Sequence, residues 1–275
     1  MMIRDIVVHL TGSPEDEARL HCGETLAGKF DAHLTGLLVH LEPELAVVPE
    51  AAYAGVSLEL LEEAREATED RRRRLAPRFA NMLVPNDLRV VSGWRSTIGG
   101  ELASEARVSD LFVGTRPYGD PGREHNVEEG VLFGSGCPCL LLPPGQRLPM
   151  VFDTVLVAWK NRREAARALR DANPFLQRAR RVVVAMATEE ADEETRSSSG
   201  TDVARYLSRH GIKPEIRELP GWHAPEDAIL NEAKASEAQL IVAGAYGHSR
   251  LREWLLGGVT RTLLARSEHP VLMSR

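Results

Sequence analysis

The sequence predicts an α/β fold in two tandem copies, each a parallel sheet with helices on both faces. Three observations carry this reading. The chain has 275 residues, too long for one average domain and comfortable for two of about 140. A proline-rich stretch, Leu142-Pro143-Pro144-Gly145-Gln146-Arg147-Leu148-Pro149, lies near the middle. Proline fixes φ and removes a backbone donor, so this stretch reads as a linker between domains at 1–145 and 150–275. Third, the two sides repeat one order of elements.

The first side opens with a strand at Ile6–Leu10, then Thr11-Gly12-Ser13-Pro14, then a helix over about Glu15–Phe30. The second opens with Thr154–Trp159, then Lys160-Asn161, then a helix over about Arg162–Arg178. Second strands follow at Leu34–His40 and Arg181–Ala187, short apolar runs of the kind found in buried parallel strands. Long polar helices come next, over about Leu58–Met82 and Asp192–His210, the latter closed by Gly211. Third strands fall at Leu88–Val91 and Glu215–Glu218. Each side then has a Gly-Trp pair, Gly93-Trp94 and Gly221-Trp222, and a helix at Ile98–Arg107 or Pro225–Ala235. Fourth strands at Asp110–Val113 and Gln239–Ala243 precede a last strand introduced by Pro138 or Pro270. Alternating strands and helices imply βαβ units, and ligands of such sheets bind beyond the carboxyl ends of the strands.

Composition narrows the function classes. Apolar residues make up 43% and charged residues 27%, ordinary for a folded domain. The formal charge of −6 argues against nucleic acid as a partner. No apolar run is long enough for a bilayer, and Met1–Asp5 leads into a strand without a leader pattern, so a cytoplasmic protein with no membrane partner is expected. Cys22, Cys137 and Cys139 lack further ligands at metal-site spacing and read as structural thiols.

The chemistry concentrates after the fourth strand of the second side. Gly244-Ala245-Tyr246-Gly247 is followed nine residues later by Gly257-Gly258, which opens a helix through Arg266. Glycine removes the Cβ that would bar a ligand, and a helix start offers unpaired N–H groups and a positive dipole end. Together they suit a phosphate. The loop is neither a Walker A sequence nor a dinucleotide fingerprint.

Leu240 through Gly258, ending in Glu268-His269-Pro270-Val271-Leu272-Met273, resembles the C-terminal signature of the universal stress protein family. The resemblance covers the second side by element order and the first more loosely. It implies a five-stranded, Rossmann-like sheet of the adenine nucleotide alpha hydrolase type, pairing through the last strand, and in some members ATP or AMP binding. Carried over by position, phosphate and ribose contacts fall on Gly244, Gly247, His248, Gly257 and Gly258. Adenine contacts fall on Ala158, Trp159 and Lys160, and a backbone contact on Met186. The last strands, around Leu140–Leu142 and Val271–Met273, would pair the two domains as a pseudo-dimer; whether a homodimer forms as well is left open.

Two positions depart from the family pattern. Lys160 stands where ATP-binding members carry aspartate, so a carboxylate acceptor is replaced by a group that cannot accept. Losing such a bond costs about 1.5–3 kcal/mol. Gly258 stands where a serine or threonine is common, with Thr260 two residues on. On the first side the aspartate position is Thr11, and His125-Asn126 match Gly257-Gly258. Gly134-Ser135 belongs by register to the end of the last helix. No nucleotide is expected there.

Other features receive plainer readings. Arg71–Arg74 lies among Glu62, Glu63, Glu66, Glu69 and Asp70 and reads as a salt-bridged helix face. His9 and His40 could face a crevice, but the reading preferred is a satisfied, part-buried histidine. Trp94 and Trp222 are expected to pack over the sheet ends. No catalytic residue and no metal ligand is assigned. The expected protein is a stress-response regulatory binding protein holding an ATP- or AMP-like ligand, or another phosphate-bearing one, weakly in its second domain. Beside it stand a nucleotide-independent interaction scaffold and a slow ATP hydrolase, for which Glu253 is the acidic residue inside the loop.

Overall fold

Each apolar run becomes a strand. The computed structural model describes residues 2–43, 53–119, 126–145, 152–187, 193–245 and 258–275. The first half runs β1 (Asp5–Leu10), α1 (Asp16–Phe30), β2 (His33–Glu42), α2 (Tyr53–Ala80), β3 (Asn86–Trp94), α3 (Ile98–Ala106), β4 (Leu111–Thr115), α4 (Asn126–Gly134) and β5 (Cys139–Leu142). The second runs β6 (Thr154–Ala158), α5 (Arg163–Asp171), α6 (Asn173–Leu176), β7 (Arg181–Ala187), α7 (Glu193–Arg209), β8 (Pro214–Leu219), α8 (Pro225–Ala235), β9 (Leu240–Gly244), α9 (Gly258–Arg266) and β10 (Val271–Ser274).

The ten strands form one sheet in the order β3-β2-β1-β4-β5-β10-β9-β6-β7-β8. Neighbours run parallel everywhere except at the centre, where β10 lies antiparallel to β5 with Val271 opposite Leu141, Leu272 opposite Leu140 and Met273 opposite Cys139. These are the last strands that the sequence sets against each other. Successive side chains of a strand point to opposite faces, so the core splits in two. Ile6, Val8, Leu10, Val155, Val157 and Leu272 join the cluster under α1, α2, α5, α6 and α7. Val7, Phe112, Leu156, Ile241, Val271 and Met273 join the cluster under α3, α4, α8 and α9.

The helix expected over 162–178 is two helices. Pro174 lacks an N–H and its ring crowds the preceding turn, so the chain breaks at Ala172 and restarts. The break delivers Phe175 to the other half. Its ring meets Phe30 of α1 edge-on at 5.5 Å and Phe152 at 5.8 Å, and the Arg178 guanidinium lies 4.7 Å from the Phe30 centroid. On the opposite sheet face Tyr118 N–H donates to the Leu264 carbonyl at 3.2 Å, and Arg116 donates to the Ala265 carbonyl. The halves are therefore joined through the sheet and on both of its faces.

The two tryptophans depart from expectation. Trp94 is 53% exposed and Trp222 39%. Trp94 ends β3 and Trp222 follows β8, the two outermost strands, where no further strand gives the indole a surface. Arg72 and Arg73 pair with Glu69 and Asp70 three residues back, as a solvated helix face does.

Leu272 is fully buried between β5 and β9. Leu272→Ala should cost about 2–5 kcal/mol. Calorimetry should show one transition moving as a unit, because β10 is hydrogen-bonded to β5 of the first half and β9 of the second. Two separate transitions, only one of them shifted, would contradict a shared core.

Candidate functional site

In a parallel sheet, a crevice opens where strand order reverses, outside the carboxyl ends. The second half reverses between β6 and β9, the first between β1 and β4. In the second half Ala158 ends β6 opposite Ala185 of β7 and Ala243 of β9. Met186 and Gly244 lie one residue further, so the ends of three adjacent strands bring Ala158, Met186 and Gly244 side by side. Met186 is buried, its Cε 3.0 Å from where a Cβ on Gly200 would stand. The Trp159 N–H donates to the Ala185 carbonyl at 2.9 Å, and its ring packs against the core. Lys160 is exposed, and its carbonyl accepts the Arg162 N–H at 2.6 Å. Gly258 opens α9. Gly247, His248, Glu253 and Gly257 lie outside the described residues.

The glycines at the two ends of the motif have different surroundings. A Cβ on Gly244 would stand 2.6 Å from Ala165 N and from Glu164 C. The missing side chain thus makes room for the first turn of α5. A Cβ on Gly258 would stand 3.0 Å from both carboxylate oxygens of Glu226. An acid from the first turn of α8 therefore sits beside the start of α9, where a helix dipole favours negative charge.

The first half builds its crevice from charged side chains. Asp16 opens α1, and its carboxylate accepts the Thr11 N–H at 3.0 Å and the Gly12 N–H at 2.7 Å. Gly12 sits at φ +78 under the Arg71 side chain of α2. Arg19, one turn on, donates to Asp16 Oδ1 at 2.5 Å and to Thr11 Oγ1 at 3.1 Å. His9, near the end of β1, donates from Nδ1 to Glu128 Oε1 at 2.9 Å. Arg19 Nη1 approaches the same ring nitrogen at 3.4 Å. All four side chains are buried, from 2% to 5% exposed. Burial alone would push the Glu128 carboxyl up, but His9, and with it Arg19, holds it below its ordinary value. Gly114 at the end of β4 leaves the space that this side chain fills: a Cβ there would stand 3.2 Å from Glu128 Cγ.

The two halves can be compared through their strand register. Ile6 faces Leu111 and Phe112 faces Cys139; Val155 faces Leu240 and Ile241 faces Val271. Counting on without gaps, His9 corresponds to Ala158, Arg19 to Ala168 and Glu128 to Thr260. Three large polar side chains of one half are thus small in the other. The sequence drew attention to His9 alone. Asp16 and Arg19 lie on the buried stripe of α1 with Leu20, Gly23, Leu26 and Ala27, and a charged pair on an apolar stripe is a signal that could have been read.

The remaining polar candidates have structural roles. His40 donates from Nδ1 to Thr68 Oγ1 at 2.7 Å, and that hydroxyl donates to the Ala64 carbonyl. Burial pushes the Cys22 and Cys137 thiols up to about 12, the range of inert core cysteines. Among the described residues no group of three or more His, Cys, Asp or Glu could hold a metal, and no helix is long and apolar enough to cross a membrane.

Two outcomes follow from this geometry. Glu128→Gln removes the buried carboxylate that accepts from His9 and should cost about 1–3 kcal/mol at neutral pH. A carboxyl held down in the folded state stabilises it above the ordinary carboxylate range, and that stability is lost as pH falls through the folded value. The variant's stability should therefore fall less steeply with acid than the native protein's in denaturant titrations from neutral pH down. Gly244→Ala should destabilise the second half by forcing α5 off β9, read as a lower urea midpoint. An unchanged midpoint would show that α5 yields freely.

The chain's relatives can now be set beside this geometry. Residues 152–275 match the sequence profile of the universal stress protein family. The universal stress protein Slr1230 of Synechocystis sp. (strain ATCC 27184 / PCC 6803 / Kazusa) is 32% identical over 93 residues, 34% of this chain and 31% of that protein. The aligned part thus spans about a third of that relative's length. Among solved structures, a universal stress protein from Archaeoglobus fulgidus DSM 4304 superposes with a TM-score of 0.79 at 18% identity, covering 100% of this chain and 97% of that one. A protein from Pseudomonas aeruginosa UCBPP-PA14 gives 0.62 at 19% identity, covering 99% and 93%. At these identities the two structures speak for the fold, and they do so over both halves. The profile match speaks for the second half: residues 152–275 carry a domain that matches the universal stress protein family.

Proposed function

We propose that the protein is a regulatory binding protein of the stress response, acting in the cytoplasm, whose second half takes a phosphate-bearing ligand of the adenine nucleotide class. One observation carries this reading. The crevice at the carboxyl ends of β6 and β9 has Ala158, Ala168 and Thr260 at the positions where the first half has His9, Arg19 and Glu128. Room and a helix start are what a phosphate ester needs. In this reading the phosphates lie at Gly258 and at the Gly244, Gly247, His248 and Gly257 positions of the loop. The base lies by Ala158, Trp159 and Lys160, near the Met186 backbone. The first half serves as scaffold.

The same site also sets a limit on affinity. Lys160 cannot accept from a ribose hydroxyl, and the Glu226 carboxylate beside Gly258 opposes a second anion. ATP or AMP should bind weakly, in the range of about 0.1–1 mM. These two residues also favour a second reading, a nucleotide-independent interaction module whose glycines serve packing, as Gly244 does for α5.

Titration calorimetry with ATP and AMP separates the two. Lys160→Asp should tighten binding about tenfold, the order expected from restoring one charge-assisted acceptor. Gly247→Val should abolish it. No heat at millimolar nucleotide, in the native protein and in Lys160→Asp alike, would leave the scaffold reading in place.

A further inference from the structure

The first half contains the parts of an anion site, and one of the protein's own carboxylates fills it. Glu128 is the third residue of α4, a nine-residue helix, so its carboxylate sits in the turn whose amides lack intrahelical partners. It accepts from His9 at 2.9 Å and from its own backbone N–H. Arg19 stands behind His9, its Nη1 3.4 Å from the imidazole nitrogen. Gly114 supplies the space above, with Glu128 Oε1 3.4 Å from where a Cβ would be. A helix start and an imidazole at one buried oxygen pair, with a guanidinium behind the imidazole, is chemistry that suits phosphate. The cluster also has capacity to spare. His9 Nε2 and Arg19 Nε are both fully buried with no hydrogen-bond partner among the described residues.

We propose that the first half is a latent site for a phosphate-sized anion, held closed by Glu128 as an internal ligand. A carboxylate on the same chain is present at an effective concentration that free phosphate does not reach. Its charge excludes a second anion from the same place. Asp16 already pairs with Arg19 at 2.5 Å, and Glu128 occupies the place beside His9 Nδ1 that an external dianion would take. The half is thus complete without a ligand from solution.

The register names the change that opens it. Glu128 corresponds to Thr260, and Glu128→Thr leaves His9, Arg19 and the start of α4 in place. Calorimetry with inorganic phosphate should give the variant one more bound phosphate per chain than the native protein. Arg19→Met added to it should weaken that site about tenfold or more. A folded Glu128→Thr protein with the native stoichiometry overturns the proposal. Where Glu128→Thr does not fold in dilute buffer, about 0.1 M phosphate should restore its circular dichroism, as a ligand of the folded state must. Failure of phosphate to restore it also overturns the proposal. Any phosphate bound by the second half appears equally in both proteins, so the outcome does not depend on whether the second half binds nucleotide.

Discussion

The antiparallel pair of β5 and β10 is the constraint from which the rest of the molecule follows. Cys139–Leu142 and Val271–Ser274 are buried throughout. Each half on its own would present one of them as an edge, a row of open backbone groups flanked by apolar side chains. Joined, each strand supplies what the other lacks. The sheet's true edges are built differently. On β8, Glu215 is clamped by Arg181 and Arg217, at 2.9 and 3.1 Å. On β3, Arg89 pairs with Asp87. Charged edges resist pairing with other chains, so the apolar strands meet at the centre and the polar ones end the sheet. The antiparallel join also points the carboxyl ends of the two halves in opposite directions. Each crevice therefore belongs to one half alone.

Within that frame the halves treat their crevices in opposite ways. The first buries two carboxylates, a guanidinium and an imidazole, which is costly unless every charge is paired. The pairing is close, and it ties four elements together: β1 through His9, α1 through Asp16 and Arg19, α4 through Glu128, and the β1–α1 turn through Thr11 and Gly12. Such a cluster adds little net stability over an apolar packing, yet it tolerates few arrangements. Its effect is to fix α4 against the sheet. The second half has alanines at two of the matching positions and threonine at the third, and the Glu226 carboxylate meets the start of α9 from the side.

The fold was legible because its signals are local. Apolar runs of strand length, prolines before the last strands and Gly211 after α7 each act through their own backbone. The break at Pro174 is hidden in the sequence because the residues around it carry helical spacing, and α6 packs through Phe175 on Phe152 and on Phe30, far away in sequence. The tryptophans misled for a related reason. Their recurrence is visible in the sequence, but being outermost depends on strand order. The glycine spacing is visible in the sequence, while the part played by Gly244 depends on where α5 packs. The charged cluster was hardest to see. His9 and Glu128 are separated by more than a hundred residues, and only the register of β1 with β4 makes them neighbours.

Joining both halves in a single sheet has a thermodynamic consequence. In the first half the internal carboxylate of Glu128 already meets His9. Any ligand that bound only the folded second half would stabilise the chain by the usual mass-action term. That stabilisation does not stay where it arises. β10 is hydrogen-bonded to both β9 and β5, and Phe175 packs on Phe30, so unfolding the second half strips the apolar cover from the first. A ligand can shift an equilibrium only by its differential affinity for the two states. Here the two states are the folded and the unfolded chain, so a contact made in one half bears on both through β5 and β10.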